Sequence, residues 1–472
     1  MKADSNFSSN AVPSTRREFL QRCGLGFGAL SMAGDMPEIL GPVGASASTL
    51  SPLTPKRPPL PARAKRVLCV FTQGGPSQVD TFDPKPDLAK LDGKPIGDGR
   101  GVAWKSPYRF HKQGQCGMEI SEVFPELGKH ADDLCVVRSM FIDAPVHEFC
   151  TLMMNTGSGR LVKPSVGSWV TYGLGSENQN LPGFITLSPG TPLGGPANWR
   201  SAFLPGAYQG THINTRYTDI EKLIENIRNS YVSRPEQRDQ LDLLVRLNQE
   251  HSQRLQRDAQ LEARIQSFEL AFQMQMEATD AFDIGLETEK VRDAYKADTT
   301  QGRQMLTARR LLERGVRFVQ VWHSGWDHHQ SLEKGLRSRA GECDQPLATL
   351  IDDLKERGMF EDTLIVWGGE FGRTPTRQLP NATSKFEVPG RNHNNRGFSY
   401  WLAGGGVKGG LAFGETDEFG QSAVINKVHV HDLHATILHL LGFNHEDFTY
   451  RYNGRDFRLT DVFGNMVNDI IA

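Results

Sequence analysis

Between Val316 and Glu370 the chain reads as a strand, a helix and a second strand. "VRFVQVW" (316–322) and "TLIVWGG" (363–369) are short apolar runs of the kind buried in a sheet. Between them, "DQPLATLIDDLKERG" sets Leu347, Leu350, Ile351 and Leu354 on one helical face and offers Gly358 as a stop. A crossover of this length forces the two strands parallel, so their carboxyl ends share one edge of the sheet. The loops that follow, "HSGWDHHQS" and "GGEFGRTP", should therefore lie side by side.

Other segments extend the same pattern. "RVLCVFT" (66–72) breaks at Gly74-Gly75-Pro76, and "LCVVRSM" (134–140) and "GFITLSP" (183–189) are further short apolar runs. "GFSYWLAGGG" (397–406) is preceded by "GRNHNNRG", and "HDLHATILHLLG" (431–442) reads as a closing helix that Asp432 can cap. From about 219 to 314 the chain turns charged, glutamine-rich and nearly free of glycine. Leu261, Ile265, Phe268, Phe272 and Met276 recur there at helical spacing, which predicts a helical insertion against the main sheet.

The N-terminus stands apart. Arg16-Arg17, then Phe19-Leu20 and a short glycine-rich stretch, match a twin-arginine export signal over 1–47, with Ala45-Ser46-Ala47 as a cleavage site. That apolar stretch is too short to span a bilayer, so the processed chain is expected without a transmembrane segment, in the periplasm or cell envelope. Residues 48–65 are proline-rich and predict an extended tether, leaving 66–472 as a single domain. Five cysteines remain after Cys23, with no CxxC pair and no zinc spacing. A net charge of −2 on 472 residues offers nothing to nucleic acid.

Ligands of open α/β sheets gather outside the carboxyl ends of the strands. The polar clusters fall at that edge: Asp327, His328 and His329 after one strand, Glu370 and Arg373 after the next, and His393 nearby. Carboxylates with imidazoles are ligands for a divalent ion, whether zinc, manganese, calcium or magnesium. Asp327, His329, Glu370 and His393 are the candidate ligands; Glu370 is alternatively the ion-pair partner of Arg373. His328 points away from Asp327 and His329 if the loop is extended, and His434 is a weaker candidate that would orient a loop.

The order of "FTQGGPSQVDTFDPKP", "HEFCTLMMNTGSGR", "SAFLPGAYQGTHI", "GWDHHQ", "GGEFGRTP", "RNHNNRG", "HDLHATILHLLG" and "YRYNGRDFRLTDVFG" resembles the alkaline phosphatase and sulfatase superfamily. Within it, the resemblance is to a sulfatase-like family of twin-arginine-exported bacterial proteins known as a domain of unknown function. It implies an α/β fold with a doubly wound, mostly parallel, alkaline-phosphatase-like sheet. It also implies a metal-dependent hydrolase of sulfate or phosphate esters, carried by small molecules or polysaccharide. Two departures matter: Gly74-Gly75 stand where sulfatases carry paired aspartates, and Cys150 lacks the Pro and Arg of the sulfatase nucleophile motif. His147 falls about where the nucleophile would be, as a catalytic base, nucleophile or ligand, and Thr151 is a further hydroxyl. Arg373 is expected to neutralise an anionic substrate. The alternative reading is a non-catalytic metal- or glycan-binding envelope protein on the same fold.

Overall fold

The computed structural model describes residues 52–96, 101–178, 180–223, 233–254, 272, 280–378 and 388–472. The predicted leader and, apart from Phe272, the Leu261–Met276 stripe lie outside the described residues.

The core is a nine-stranded sheet. In chain order its strands are β1 (Arg66–Phe71), β2 (Leu134–Phe141), β3 (Phe184–Ser188), β4 (Thr211–Asn214), β5 (Phe318–Trp322), β6 (Thr363–Gly368), β7 (Phe398–Ala403), β8 (Leu411–Phe413) and β9 (Val428–His429). They lie in the order β8-β2-β7-β6-β1-β5-β3-β4, with β9 also on β2. β1 pairs parallel with both β5 and β6, so the two strands read from the sequence flank a third. β7 alone runs against its neighbours, antiparallel to β6 and β2, in a sheet otherwise parallel.

The helices are α1 (His147–Thr156), α2 (Val166–Leu174), α3 (Arg234–Arg254), α4 (Thr300–Glu313), α5 (Leu332–Glu356) and α6 (Val430–Leu440), besides shorter turns. Strand side chains alternate between two apolar layers, as the two-residue period of a strand requires. Leu68, Val70, Val319 and Ile365 pack with Leu306 and Leu311 of α4 and Leu347, Leu350 and Leu354 of α5. Val67, Phe71, Phe318 and Leu364 pack on the opposite face with Met153, Val170 and Leu438 of α1, α2 and α6. The sheet is thus covered on both sides, a doubly wound α/β fold.

Three details add to the sequence reading. α5 begins at Leu332 rather than near Asp344, because Leu336, Ala340 and Cys343 continue its buried stripe. α4, inside the charged block, is a cover of the main sheet, with Leu306, Leu311 and Leu312 fully buried. Residues 52–65 are extended but fastened. Lys56, Leu60, Arg63 and Ala64 donate backbone hydrogen bonds to Leu174 O, Gly442 O, Leu440 O and Leu440 O at 2.8–3.0 Å. These acceptors are carbonyls at the ends of α2 and α6, which lack intrahelical partners. The α6 start uses Asp432 as foreseen, its carboxylate accepting the His429 N–H at 2.8 Å in a capping box.

Candidate metal centre

Four elements converge at the carboxyl edge of the sheet. His147 opens α1. Asp327 and His329 lie between β5 and α5, in a loop held beside β1 by bonds from His323 N to Phe71 O (2.9 Å) and Trp326 N to Gln73 O (3.1 Å). His393 pairs with Arg373 across a two-residue ribbon, Gly372–Arg373 against His393–Asn394. Leu332 N and Ser331 N donate to Pro389 O and Val388 O, zipping this segment to the loop after His329. Gly390 makes that approach feasible, since a Cβ there would sit 2.2 Å from His329 C.

The ligand atoms of His147, Asp327, His329 and His393 all lie within 4.8 Å of one another. The three Nε2 atoms face Asp327 Oδ1 at 3.3 Å (His147), 3.0 Å (His329) and 3.4 Å (His393). His329 Nε2 and His393 Nε2 are 2.8 Å apart. Each Nδ1 faces a separate acceptor: Glu370 Oε1 at 2.5 Å from His147, Gln378 Oε1 at 2.7 Å from His329, and Pro145 O at 2.9 Å from His393. With Nδ1 as the protonated nitrogen in each ring, three lone pairs and a carboxylate oxygen point into one small space. A cation satisfies that arrangement, and outward Nδ1–H bonds to carboxylate or carbonyl are how metal-binding histidines are oriented. His147 Nε2 is buried without a hydrogen bond of its own, as a poised ligand atom would be. The donor set therefore fits a divalent ion.

The charges agree with this. Burial would raise the Asp327 carboxyl, but the surrounding His147, His329 and His393 imidazoles and the Arg373 guanidinium hold it far below the usual carboxylate range. Burial pulls His147 down, yet Asp327 and Glu370 together push its imidazolium up to about 9. His393 is lowered by burial, with the Arg373 and His147 charges adding to the effect. The Asp327 side chain is 44% exposed, so the centre opens to solvent on that side.

Several residues take places other than those expected. Glu370 is not among the converging ligands: it is fully buried, accepts Gly74 N–H at 2.9 and 3.1 Å, and backs His147. Nor is it the ion-pair partner of Arg373, whose carboxylate is Asp327. Arg373 is itself fully buried, bonded to Gly74 O, Gly75 O and Arg391 O, so it cannot meet a substrate directly. His147, expected as a catalytic group or a ligand, stands beside Asp327, His329 and His393 in the cluster. His328 turns inward against Gly335, and His434 bonds Met154 O at 2.8 Å, away from the centre. Thr151 is buried in α1, and Cys150 donates to Ala144 O. Gln378 and the Pro145 carbonyl carried no recognisable pattern in the sequence.

No curated protein matches the chain in sequence. Similar solved structures include the lipoteichoic acid synthase LtaP from Listeria monocytogenes, at 10% identity and a TM-score of 0.38, over 84% of this chain and 75% of that one. The C-terminal periplasmic domain of EcEptC from Escherichia coli, in complex with Zn, is similar at 9% identity and a TM-score of 0.34, over 83% and 86%. The PsFucS1 sulfatase from Pseudoalteromonas sp. is similar at 14% identity and a TM-score of 0.34, over 81% and 69%. Likeness at this level carries no activity across to this chain. The family described as "Protein of unknown function (DUF1501)" matches residues 64–471, and the chain belongs to that family.

Proposed function

We propose that this protein is a metal-dependent hydrolase of phosphate or sulfate esters. The observation that carries the reading is the convergence of three imidazole Nε2 atoms on Asp327 Oδ1 while every Nδ1 is held from behind. Three imidazoles with one carboxylate suit zinc or iron better than magnesium or calcium, which prefer all-oxygen sets. A divalent ion held by His147, Asp327, His329 and His393 would supply Lewis acidity toward an ester oxygen or an attacking water. Glu370 and Gln378 fix the tautomer and aim of His147 and His329. Arg373 restrains Asp327, and Val146, 54% exposed beside His147, leaves the rim apolar next to the polar centre.

The second reading, a metal- or glycan-binding envelope protein without turnover, is favoured by Gly74-Gly75, which bring no side chain to the site, and by the burial of Thr151 and Cys150. One experiment separates the two. Metal content of the purified full chain is measured, followed by hydrolysis of aryl phosphates and aryl sulfates by wild type and Asp327→Ala. Metal with turnover that disappears in the variant supports the hydrolase, whereas metal without turnover across the panel leaves the binding reading. We assign export to the twin-arginine leader at 1–47; replacing Arg16 and Arg17 by Lys should retain the protein in the cytoplasm on fractionation. Among the described residues, no helix is long and apolar enough to cross a membrane.

A further inference from the structure

We propose that the centre is built for a single divalent ion, with the buried guanidinium of Arg373 standing where a paired-ion centre would hold its second cation. This rests on the metal reading above. Paired-ion centres set their cations about 3.5–4 Å apart and need carboxylates to hold both. Here Asp327 Oδ1 faces the three imidazoles and is also in contact with Arg373 Nη2. The guanidinium is anchored on its other sides, Nε donating to Gly75 O at 3.0 Å, Nη1 to Arg391 O at 3.2 Å, and Nη2 also to Gly74 O. Its charge is permanent and fixed in a fully buried position.

Among the described residues, the one group of three or more His, Cys, Asp or Glu side chains that could hold an ion is this one. A Cβ on Gly74 would lie 2.4 Å from Asp327 N, and one on Gly75 2.8 Å from Phe371 O, so no side chain fits where the first strand turns. The buried carboxylates nearest in the chain are already engaged. Glu370 takes Gly74 N and His147 Nδ1; Asp80 takes Arg391 at 2.7 and 3.1 Å; Asp83 takes Lys85 at 3.1 Å and the Thr416 hydroxyl. A dication brought against the guanidinium would meet an unscreened like charge with no anion between them beyond Asp327. Arg373 is thus a positioning residue that sets both the place of Asp327 and the number of ions.

The test is metal stoichiometry rather than activity. The full chain is stripped with chelator, dialysed against Zn2+ or Mn2+, and its bound metal counted by elemental analysis, with affinity from calorimetry. One equivalent per chain is expected. Two equivalents of comparable affinity overturn the proposal while leaving the metal reading intact; none overturns both. Arg373→Met and Arg373→Lys add a readout that a merely structural arginine would not move. Removing the charge should tighten binding of the ion by about tenfold or more, and Lys should keep it within about threefold of wild type. Equal weakening in both variants contradicts the charge role, and if neither variant folds, the wild-type stoichiometry alone decides.

Discussion

At the scale of single residues, the centre depends on a division of labour between rings that point inward and the groups that hold them from behind. Asp327→Asn or His393→Ala should cost at least about a hundredfold in metal affinity, and Glu370→Gln, which touches no ion, about ten- to a hundredfold, all measured by calorimetry. The pH dependence follows from His147. Its imidazolium in the metal-free chain is pushed up to about 9, from an ordinary 6.5, despite burial, by Asp327 and Glu370. A metal must displace that proton, so apparent affinity should rise about tenfold per pH unit from 6.5 toward 9, with about one proton released. Calorimetry in buffers of different ionisation heat reads the release. For the metal-free chain the sign is opposite: a raised pKa stabilises fully below 6.5, and that contribution fades as pH climbs through 9. Asp327, His329 and His393 were legible because acid and imidazole cluster at strand ends. Gln378 and the Pro145 carbonyl were not, since a lone amide and a backbone oxygen leave no trace in composition. Glu370 was placed at the right edge, but its contact with His147 Nδ1 was not legible, because spacing cannot tell which side chains of neighbouring loops meet.

At the scale of elements, the buried stripe of α5 joins helix to sheet through fully buried leucines. Leu350→Ala should cost about 2–5 kcal/mol in denaturant unfolding, because Leu350 is fully buried between helix and sheet. Gly74→Ala is a sharper probe of the first turn. Gly74 has φ of +118° and no space for a methyl, so the substitution should destabilise by about 3 kcal/mol and weaken metal binding by displacing Asp327. The βαβ reading was legible because apolar runs and the helical stripe repeat with distinct periods. The insertion of β1 between β5 and β6 was not, as pairing partners are a property of the whole sheet. The early start of α5 was missed because Pro346 sits inside it and Ser331, at its N-terminal boundary, bonds no helix N–H with its side chain.

At the scale of the molecule, the strap formed by 52–65 joins the ends of two helices on one layer of the sandwich. Deleting 52–61 removes the Lys56 and Leu60 bonds and the burial of Leu53, and should lower stability by about 2–4 kcal/mol, seen as a lower Tm at unchanged metal stoichiometry. Proline content announced an extended segment, yet nothing in it revealed that the helix-end carbonyls would be its anchors. The reversed direction of β7 has the widest reach. Strand pairs β6–β7 and β7–β2 hold the strand whose preceding loop carries His393, and the loop preceding a strand that ran the common way would open on the opposite rim. Zinc uptake during refolding should therefore lag the burial of the tryptophans of β6 and β7, Trp367 and Trp401, making the ion a reporter of the final closure of the sheet.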